Sequence, residues 1–400
     1  MRRKILILPA WYPSDASPVN GIFVQEQAAL LSQEYDVRVL VPRWVTWRAM
    51  LKGDVGPASQ VEDRAGLRVY RERALAPIPL RIPGAAYSSY LQAASRGFDK
   101  LLAEWGKPDI IHAHVVLPAG WAAMKLGKRH GILVVLTEHS SPFSMHLQNG
   151  YARRLVKETL EQVDRIVAVS PAMAEQIHDF CNDVGILVVG ELIKTEFFVP
   201  WNGVNVADTP VTHFLSIALL SKQKGLVHLL EAARLLIKRG ITSFRLTIGG
   251  DGPERPALEK AVSVGGLSGW CSFLGLLEPA EVRRCMQQCD VFVLPSLHET
   301  FGIVLGEAMA CGKPVIATRC GGPEFVVTSD TGMLVDAANP FALADAMENF
   351  IAGRVKFNPQ VIRQRVVERF GEAAFLSNIS QIYNHVIEDR NVRYLWHLAS

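Results

Sequence analysis

Apolar positions in this chain come in short unbroken runs separated by longer amphipathic stretches. In the first half, runs of strand length occupy Ile5–Leu8, Val37–Val41, Ile110–Ala113, Leu133–Leu136, Ile166–Val169 and Ile186–Val189. Between them, Phe23–Leu31, Trp121–Lys128 and Tyr151–Glu161 carry helical spacing. The second half repeats the rhythm. Strands are expected at Phe214–Leu219, Arg245–Gly249, Ser272–Leu274, Val291–Leu294 and Val315–Thr318, and helices at Leu226–Lys238, Glu254–Val262, Glu281–Gln288 and Ile303–Cys311. From Phe341 to about Asp389 the pattern is helical throughout. Continuous apolar strands alternating with helices predict parallel sheets covered on both faces, an α/β fold. Between the halves, Lys194–Pro210 carries Pro200, Asn202, Gly203 and Pro210, a composition suited to an interdomain connection.

A length of 400 residues matches two such domains. Hydrophobic residues make up 49% and charged residues 20%, the balance of an ordinary globular chain able to bury two cores. The net charge of +3 is too small to imply a nucleic-acid partner. Met1-Arg2-Arg3-Lys4 followed by Ile5–Leu8 has the outline of a signal peptide, but the apolar run stops at Pro9 and reads as a buried first strand. No run approaches the ~20 apolar residues of a membrane span. The six cysteines are scattered without a CxxC pair, as expected of small buried hydrophobes in a reducing cytoplasm.

The segment from Asp290 to Ala317 carries the strongest chemical signal. A strand ends at Pro295, a loop bears Glu299, a helix starts near Gly302 and carries Glu307, and another strand follows Gly312-Lys313-Pro314. A glycine at the helix start lets backbone approach a ligand, and the unpaired N–H groups and dipole there favour a diphosphate. Glu299 and Glu307 stand eight residues apart, ~12 Å if both were helical. That span suits two diols flanking a diphosphate, because a carboxylate accepts paired hydrogen bonds from vicinal hydroxyls. These residue types together point to a nucleotide sugar.

The segment resembles the E-x7-E region of the retaining glycosyltransferases of family 4, and the likeness runs along nearly the whole chain. Pro18-Val19-Asn20-Gly21 resembles the family's glycine loop, and Asp109-Ile110-Ile111-His112-Ala113-His114 its mid-domain strand. Lys224-Gly225 followed by Leu229-Leu230-Glu231-Ala232 resembles its Lys-Gly helix start, and Gly249–Pro253 and Gly321-Gly322-Pro323-Glu324 also fit. The resemblance implies the GT-B fold, two Rossmann-like domains whose parallel sheets face a central cleft. We take residues 1–195 as the acceptor-side domain, 196–210 as the linker, 211–370 as the nucleotide-sugar domain, and 371–400 as a helix returning to the first domain.

The implied activity is retaining transfer from a UDP- or GDP-sugar to a glycan or lipid-linked acceptor in cell-surface polysaccharide synthesis. Glu307 would hold the donor ribose and Glu299 the transferred sugar. Phe301, Gly302 and Ile303 would offer backbone to sugar or phosphate, and Gly250 would turn toward the donor. Lys224 would neutralise the leaving diphosphate, and Lys222 would substitute for an arginine that many members carry at the position of Leu219. His114 would reach the reacting sugar, Gly21 would let its loop approach phosphate or acceptor, and Asn20, Glu138 and His139 would face the acceptor. No Asp-x-Asp occurs, so neither a metal nor any other cofactor is implied. Retention in the family is explained by front-face attack, with the leaving phosphate taking the acceptor proton. This differs from the two-carboxylate scheme of glycosidases.

The chain departs from the family in two places. Ala218-Leu219-Leu220 stands where many members carry Gly-Arg-Leu, and Gly190-Glu191-Leu192-Ile193-Lys194 replaces an Asn-x-x-Asp. Other readings remain open: a GT-B nucleotide-sugar epimerase or inverting transferase, and a catalytically silent GT-B binding subunit. His112 and His114 share one strand face and could suggest a metal pair, but without a clear third ligand one is expected to be packed and one to serve the site. Gly249-Gly250-Asp251-Gly252 lacks the full dinucleotide fingerprint. Arg43–Lys52 alternates bases with Trp44 and Trp47 and would give weak contact with the inner membrane face in a cytoplasmic, peripheral protein.

Overall fold

The computed structural model describes residues 2–15, 17–45, 56–75, 83–201 and 211–399, with side chains left out at 83 and 390–399. The chain forms two compact units: 1–169, 173–189 and 376–400 in the first, and 170–172 with 190–375 in the second. Residues 190–195 thus lie in the second unit. Of the expected linker 196–210, 202–210 fall outside the described residues.

The first unit is built on strands β1 (Lys4–Pro9), β2 (Asp36–Val45), β3 (Ser59–Arg64), β4 (Leu67–Leu75), β5 (Ile110–His114), β6 (Leu133–Glu138), β7 (Arg165–Ala168) and β8 (Ile186–Val188). They form one sheet in the order β3-β4-β2-β1-β5-β6-β7-β8. Every pairing is parallel except β3 with β4. The order reverses between β1 and β5, so the loops after these strands form the switch point at which open sheets bind ligands. Ile5, Leu6, Ile7 and Leu8 are all 0% exposed, as a central strand covered on both faces requires. The helix Pro83–Trp105 lays Tyr90, Ala94, Phe98 and Leu101 into the core.

Strands β3 and β4 were not expected. Their runs, SQVEDR and LRVYRERAL, interleave charge with apolar residues, which hides them from a search for continuous apolar segments. The structure shows why the charges are tolerated. Arg71 pairs with Glu62 at 2.8 Å across the hairpin, and the 2%-exposed Glu72 is met by Lys100 Nζ at 2.6 Å and by the Ser59 hydroxyl at 2.6 Å.

Of the segment proposed for membrane contact, 46–52 lies outside the described residues. Trp44 is part of β2. Its indole N–H donates to the Ala86 carbonyl at 3.1 Å, and its ring meets Tyr87 and Tyr90 edge-on. It is therefore a packed residue of the domain. No helix among the described residues is long and apolar enough to cross a membrane.

The second unit holds β9 (Thr212–Ile217), β10 (Phe244–Gly249), β11 (Cys271–Gly275), β12 (Val291–Leu294), β13 (Val315–Arg319) and β14 (Gly332–Asp336). They form a wholly parallel sheet in the order β11-β10-β9-β12-β13-β14. β14 is the strand the sequence reading missed: an edge strand of five residues with two buried positions offers no continuous apolar run. Here the switch point lies between β9 and β12, whose following loops carry Lys224 and Glu299.

Candidate active site

In the second unit, one close backbone approach organises the candidate site. Gly225 ends the short 3-10 turn Lys222–Lys224 with φ 61°, and a side chain there would lie 2.1 Å from the Pro295 carbonyl oxygen. Only glycine lets the loop after β9 lie against the loop after β12. A hydrogen bond from Leu297 N–H to the Gln223 carbonyl at 2.7 Å seals the contact. The result is an ion pair: Lys224 Nζ donates to Glu299 Oε2 at 2.6 Å, with Ser296 Oγ 3.3 Å from the same oxygen. Both side chains keep some exposure, 24% for Lys224 and 11% for Glu299.

Glu299 is not helical. It forms a β-bridge with Gly321, and its carbonyl accepts from Gly322 N–H at 2.7 Å. The helical estimate of its separation from Glu307 therefore does not apply, because the helix Ile303–Ala310 begins only after Gly302, a left-handed cap at φ 93°. Glu307 sits half-buried on this helix, one turn from its start. Phe301 is 2% exposed, its ring edge-on to Phe370 at 5.1 Å, so only its backbone is left to meet a ligand. Ile303 is half-buried in the first turn. Lys222 is exposed. Gly250 already donates its N–H to the Gly275 carbonyl at 2.7 Å. What it contributes is shape, since a Cβ there would lie 1.9 Å from the Ala218 carbonyl oxygen. Leu219, at the expected arginine position, is 64% exposed.

In the first unit, three imidazoles stand in a row at the carboxyl ends of β5 and β6. His112 and His114 stack at 4.4 Å between ring centroids, and His114 Nδ1 lies 2.9 Å from His139 Nε2. His114 is 1% exposed and His139 7%. The Nε2 of His114 is buried without a protein partner among the described residues. Burial and the two neighbouring imidazoles hold the His114 pKa well below its ordinary value, and burial pulls that of His112 down to about 3. Both rings are therefore neutral at physiological pH. Directly after His114, Val115 is held at φ 78°, a strained conformation for a β-branched residue.

Glu138 takes a different part from the one expected. It is 0% exposed, and its two carboxylate oxygens accept from the backbone N–H groups of Val116, His139 and Ser140 at 2.7, 2.9 and 2.7 Å. It shapes the loop and cannot also face an acceptor. Gly21 starts the helix Ile22–Leu31 at φ 71°, and Asn20 is exposed in the preceding turn. Sequence reasoning missed Ser296, a serine in a loop with no signature, and Tyr383, a lone tyrosine in a helical pattern. Among the described residues, no group of three His, Cys, Asp or Glu side chains could hold a metal ion.

The chain matches family models over both units: "Glycosyl transferase 4-like domain" across residues 21–188 and "Glycosyl transferases group 1" across 211–352. It is 30% identical over 270 residues to a lipopolysaccharide core biosynthesis glycosyltransferase of Rhizobium meliloti, covering 66% of this chain and 72% of the relative. The chain belongs to the family 4 glycosyltransferases of GT-B fold.

Other relatives extend the match. A Bacillus subtilis glycosyltransferase provisionally assigned to teichuronic acid biosynthesis is 26% identical over 370 residues, 87% of this chain and 89% of the relative. An uncharacterized glycosyltransferase of Methanocaldococcus jannaschii is 30% identical over 248 residues, and the match spans 61% of this chain and 65% of that relative's length. Among solved structures, sucrose-phosphate synthase from Thermosynechococcus elongatus aligns with a TM-score of 0.78 at 22% identity, covering 97% of this chain and all of the other. Anabaena HepE in complex with UDP-glucose aligns with a TM-score of 0.70 at 17% identity, covering 96% of this chain and all of the other. At these identities the structures establish the GT-B fold alone.

Proposed function

We propose that this family 4 glycosyltransferase moves a sugar, with retention at the anomeric carbon, from a UDP- or GDP-sugar to a glycan or lipid-linked acceptor in cell-surface polysaccharide synthesis. The observation that carries the reading is the Lys224–Glu299 pair, held beside the helix that bears Glu307. A carboxylate able to accept from sugar hydroxyls lies within hydrogen-bond distance of a fixed ammonium, as hydroxyls and a departing diphosphate on one donor would require.

In this reading the donor inserts its diphosphate at Lys224, with the sugar hydroxyls on Glu299 and the ribose on Glu307. Backbone at Phe301, Gly302 and Ile303 lines the phosphate, and His114 Nε2 meets the reacting sugar. As the anomeric bond breaks, electrons pass to the phosphate oxygen, and Lys224 stabilises the growing charge. The acceptor hydroxyl attacks the same face and gives its proton to the departing phosphate. Lysine and the helix start carry the charge, so no metal is required. One relative is assigned to lipopolysaccharide core biosynthesis and another, provisionally, to teichuronic acid biosynthesis, which supports a surface-glycan acceptor.

The test is incubation of purified protein with UDP- and GDP-sugars and candidate glycan or lipid-linked acceptors. We expect an α-linked product from an α-linked donor by NMR. A β-linked product would overturn retention, and interconversion of the free donor without transfer would favour the epimerase reading.

A further inference from the structure

The row of imidazoles in the first unit does not end at the strand. His112 is 1% exposed and has both ring nitrogens engaged: Nδ1 lies 2.7 Å from the Tyr383 hydroxyl and Nε2 lies 2.7 Å from Thr137 Oγ1. Tyr383 comes from the C-terminal helix Glu372–Ala399 and is 0% exposed. Its ring stands edge-on to His112 at 5.7 Å and edge-on to Tyr35 at 5.4 Å, so it is wedged from two sides.

A neutral imidazole has one donor and one acceptor nitrogen, and a hydroxyl can serve either. Two hydroxyls on opposite ring nitrogens therefore fix the plane of His112 and satisfy both of its nitrogens, whichever of them carries the proton. His114 lies against that plane at 4.4 Å with its ring tilted by 26°, and on its other side it is tied to His139 at 2.9 Å. With the ring held on both sides, the free direction left to His114 is that of Nε2, which has no protein partner among the described residues. A buried ring nitrogen left without a partner costs free energy unless a ligand completes it.

We propose that Tyr383 is a positioning residue for His114: from the C-terminal helix it locks His112, whose ring face sets the orientation of His114 Nε2 toward the reacting sugar. The inference rests on the proposed glycosyl transfer for its kinetic consequence, but its geometric part does not. Tyr383 touches no substrate. It acts through one packed ring on another, and this makes the C-terminal helix a part of the first unit's chemistry as well as of its core. Thr137 shares the task from β6.

The experiment uses the full chain with Tyr383→Phe, which deletes one oxygen and keeps the ring, and Thr137→Val, which removes the hydroxyl from the other side of His112. Thr137→Ser restores that hydroxyl. We expect Tyr383→Phe and Thr137→Val each to lower kcat about 10- to 100-fold, the range for small misplacements of a reacting geometry, with donor KM changed less than twofold. Thr137→Ser should keep most of kcat. Long-range proton–nitrogen NMR spectra of the histidine side chains form the second arm and need no turnover. In Tyr383→Phe the His112 Nδ1 signal should shift as its hydroxyl partner is lost, and the His114 signals should shift with it. Unchanged His114 signals would overturn the proposal. So would a variant that melts earlier yet keeps full kcat in its folded fraction, because that is what a purely structural tyrosine does. If the unsubstituted protein transfers no sugar from any donor, the functional reading fails, and the NMR arm alone then decides whether Tyr383 orients His114.

Discussion

Lys224 Nζ and Glu299 Oε2 lie 2.6 Å apart across two loops that neither residue's own strand would bring together without the glycine at position 225. The pair places a cation and the carboxylate proposed for the sugar in contact. Negative charge builds on the leaving phosphate in the transition state, so the ammonium should act there more than in the ground state. Lys224→Ala should lower kcat by ~10²–10³ and raise donor KM less. Lys222, exposed and two residues away, should matter less, and Leu219 cannot share the charge. Steady-state kinetics on both lysine variants checks this. A larger loss from Lys222→Ala would place the phosphate grip elsewhere in the loop.

Glu307 is assigned to the donor ribose, and its loss should be felt in binding. A charged hydrogen bond contributes ~1.5–3 kcal/mol, so Glu307→Ala should weaken donor affinity by roughly 10- to 150-fold. Calorimetric titration of the folded variant with the active nucleotide sugar reads it. Unaltered affinity would remove Glu307 from the site.

The buried imidazoles make stability depend on pH. His112 is pulled from 6.5 to about 3 and His114 well below 6.5, so below pH 6.5 the unfolded chain takes up protons that the folded chain refuses. Stability is complete above 6.5 and falls as the pH drops from 6.5 toward 3. Each such histidine costs up to about 1.4 kcal/mol per pH unit within that window. Thermal melts between pH 7.5 and 5 should show the midpoint declining below 6.5, and His112→Asn should flatten the decline. A midpoint that rises on acidification contradicts the burial of these rings.

Two glycines of the second unit should respond differently to alanine. At Gly250 φ is 108°, and a Cβ would lie 1.9 Å from a backbone oxygen that cannot move without breaking the turn. At Gly302 φ is 93°, but the nearest atom is the end of the Leu305 side chain, 3.0 Å away. Gly302→Ala should cost ~1–2 kcal/mol of backbone strain, while Gly250→Ala adds overlap and should cost ~3 kcal/mol or more. Denaturant midpoints rank them, and the reverse order would mean that the Gly250 turn relaxes.

Charge on the leaving group is expected to be met by Lys224 and the helix start, so EDTA should leave turnover intact. Loss of activity restored by magnesium or manganese would assign the diphosphate to a metal.

Much of this was legible in the residues. Strands such as Val291–Leu294 and the helix Leu226–Lys238 were read with correct bounds because both faces of a parallel strand, or one stripe of a helix, must be apolar. The E-x7-E segment was legible because its glycines, carboxylates and flanking strands fall in fixed order. β3 and β4 were hidden because Glu62 and Glu72 are answered by Arg71 and Lys100, a compensation visible only in three dimensions. Glu138 looked like an acceptor ligand because a sequence cannot show that three backbone N–H groups have already claimed its oxygens. Tyr383 was invisible for a related reason: its partner lies 271 positions away.

The outermost strand of the first sheet has a further effect. Ser59–Arg64 ends the eight-stranded sheet, and among the described residues no strand pairs with its far side. Four of its six residues are exposed, and the strand carries Glu62, Asp63 and Arg64. A second molecule docking edge to edge would have to strip water from these charges while matching a short, antiparallel, twisted ribbon. The same charges that hid the strand from recognition therefore disfavour edge-to-edge pairing at this border of the sheet.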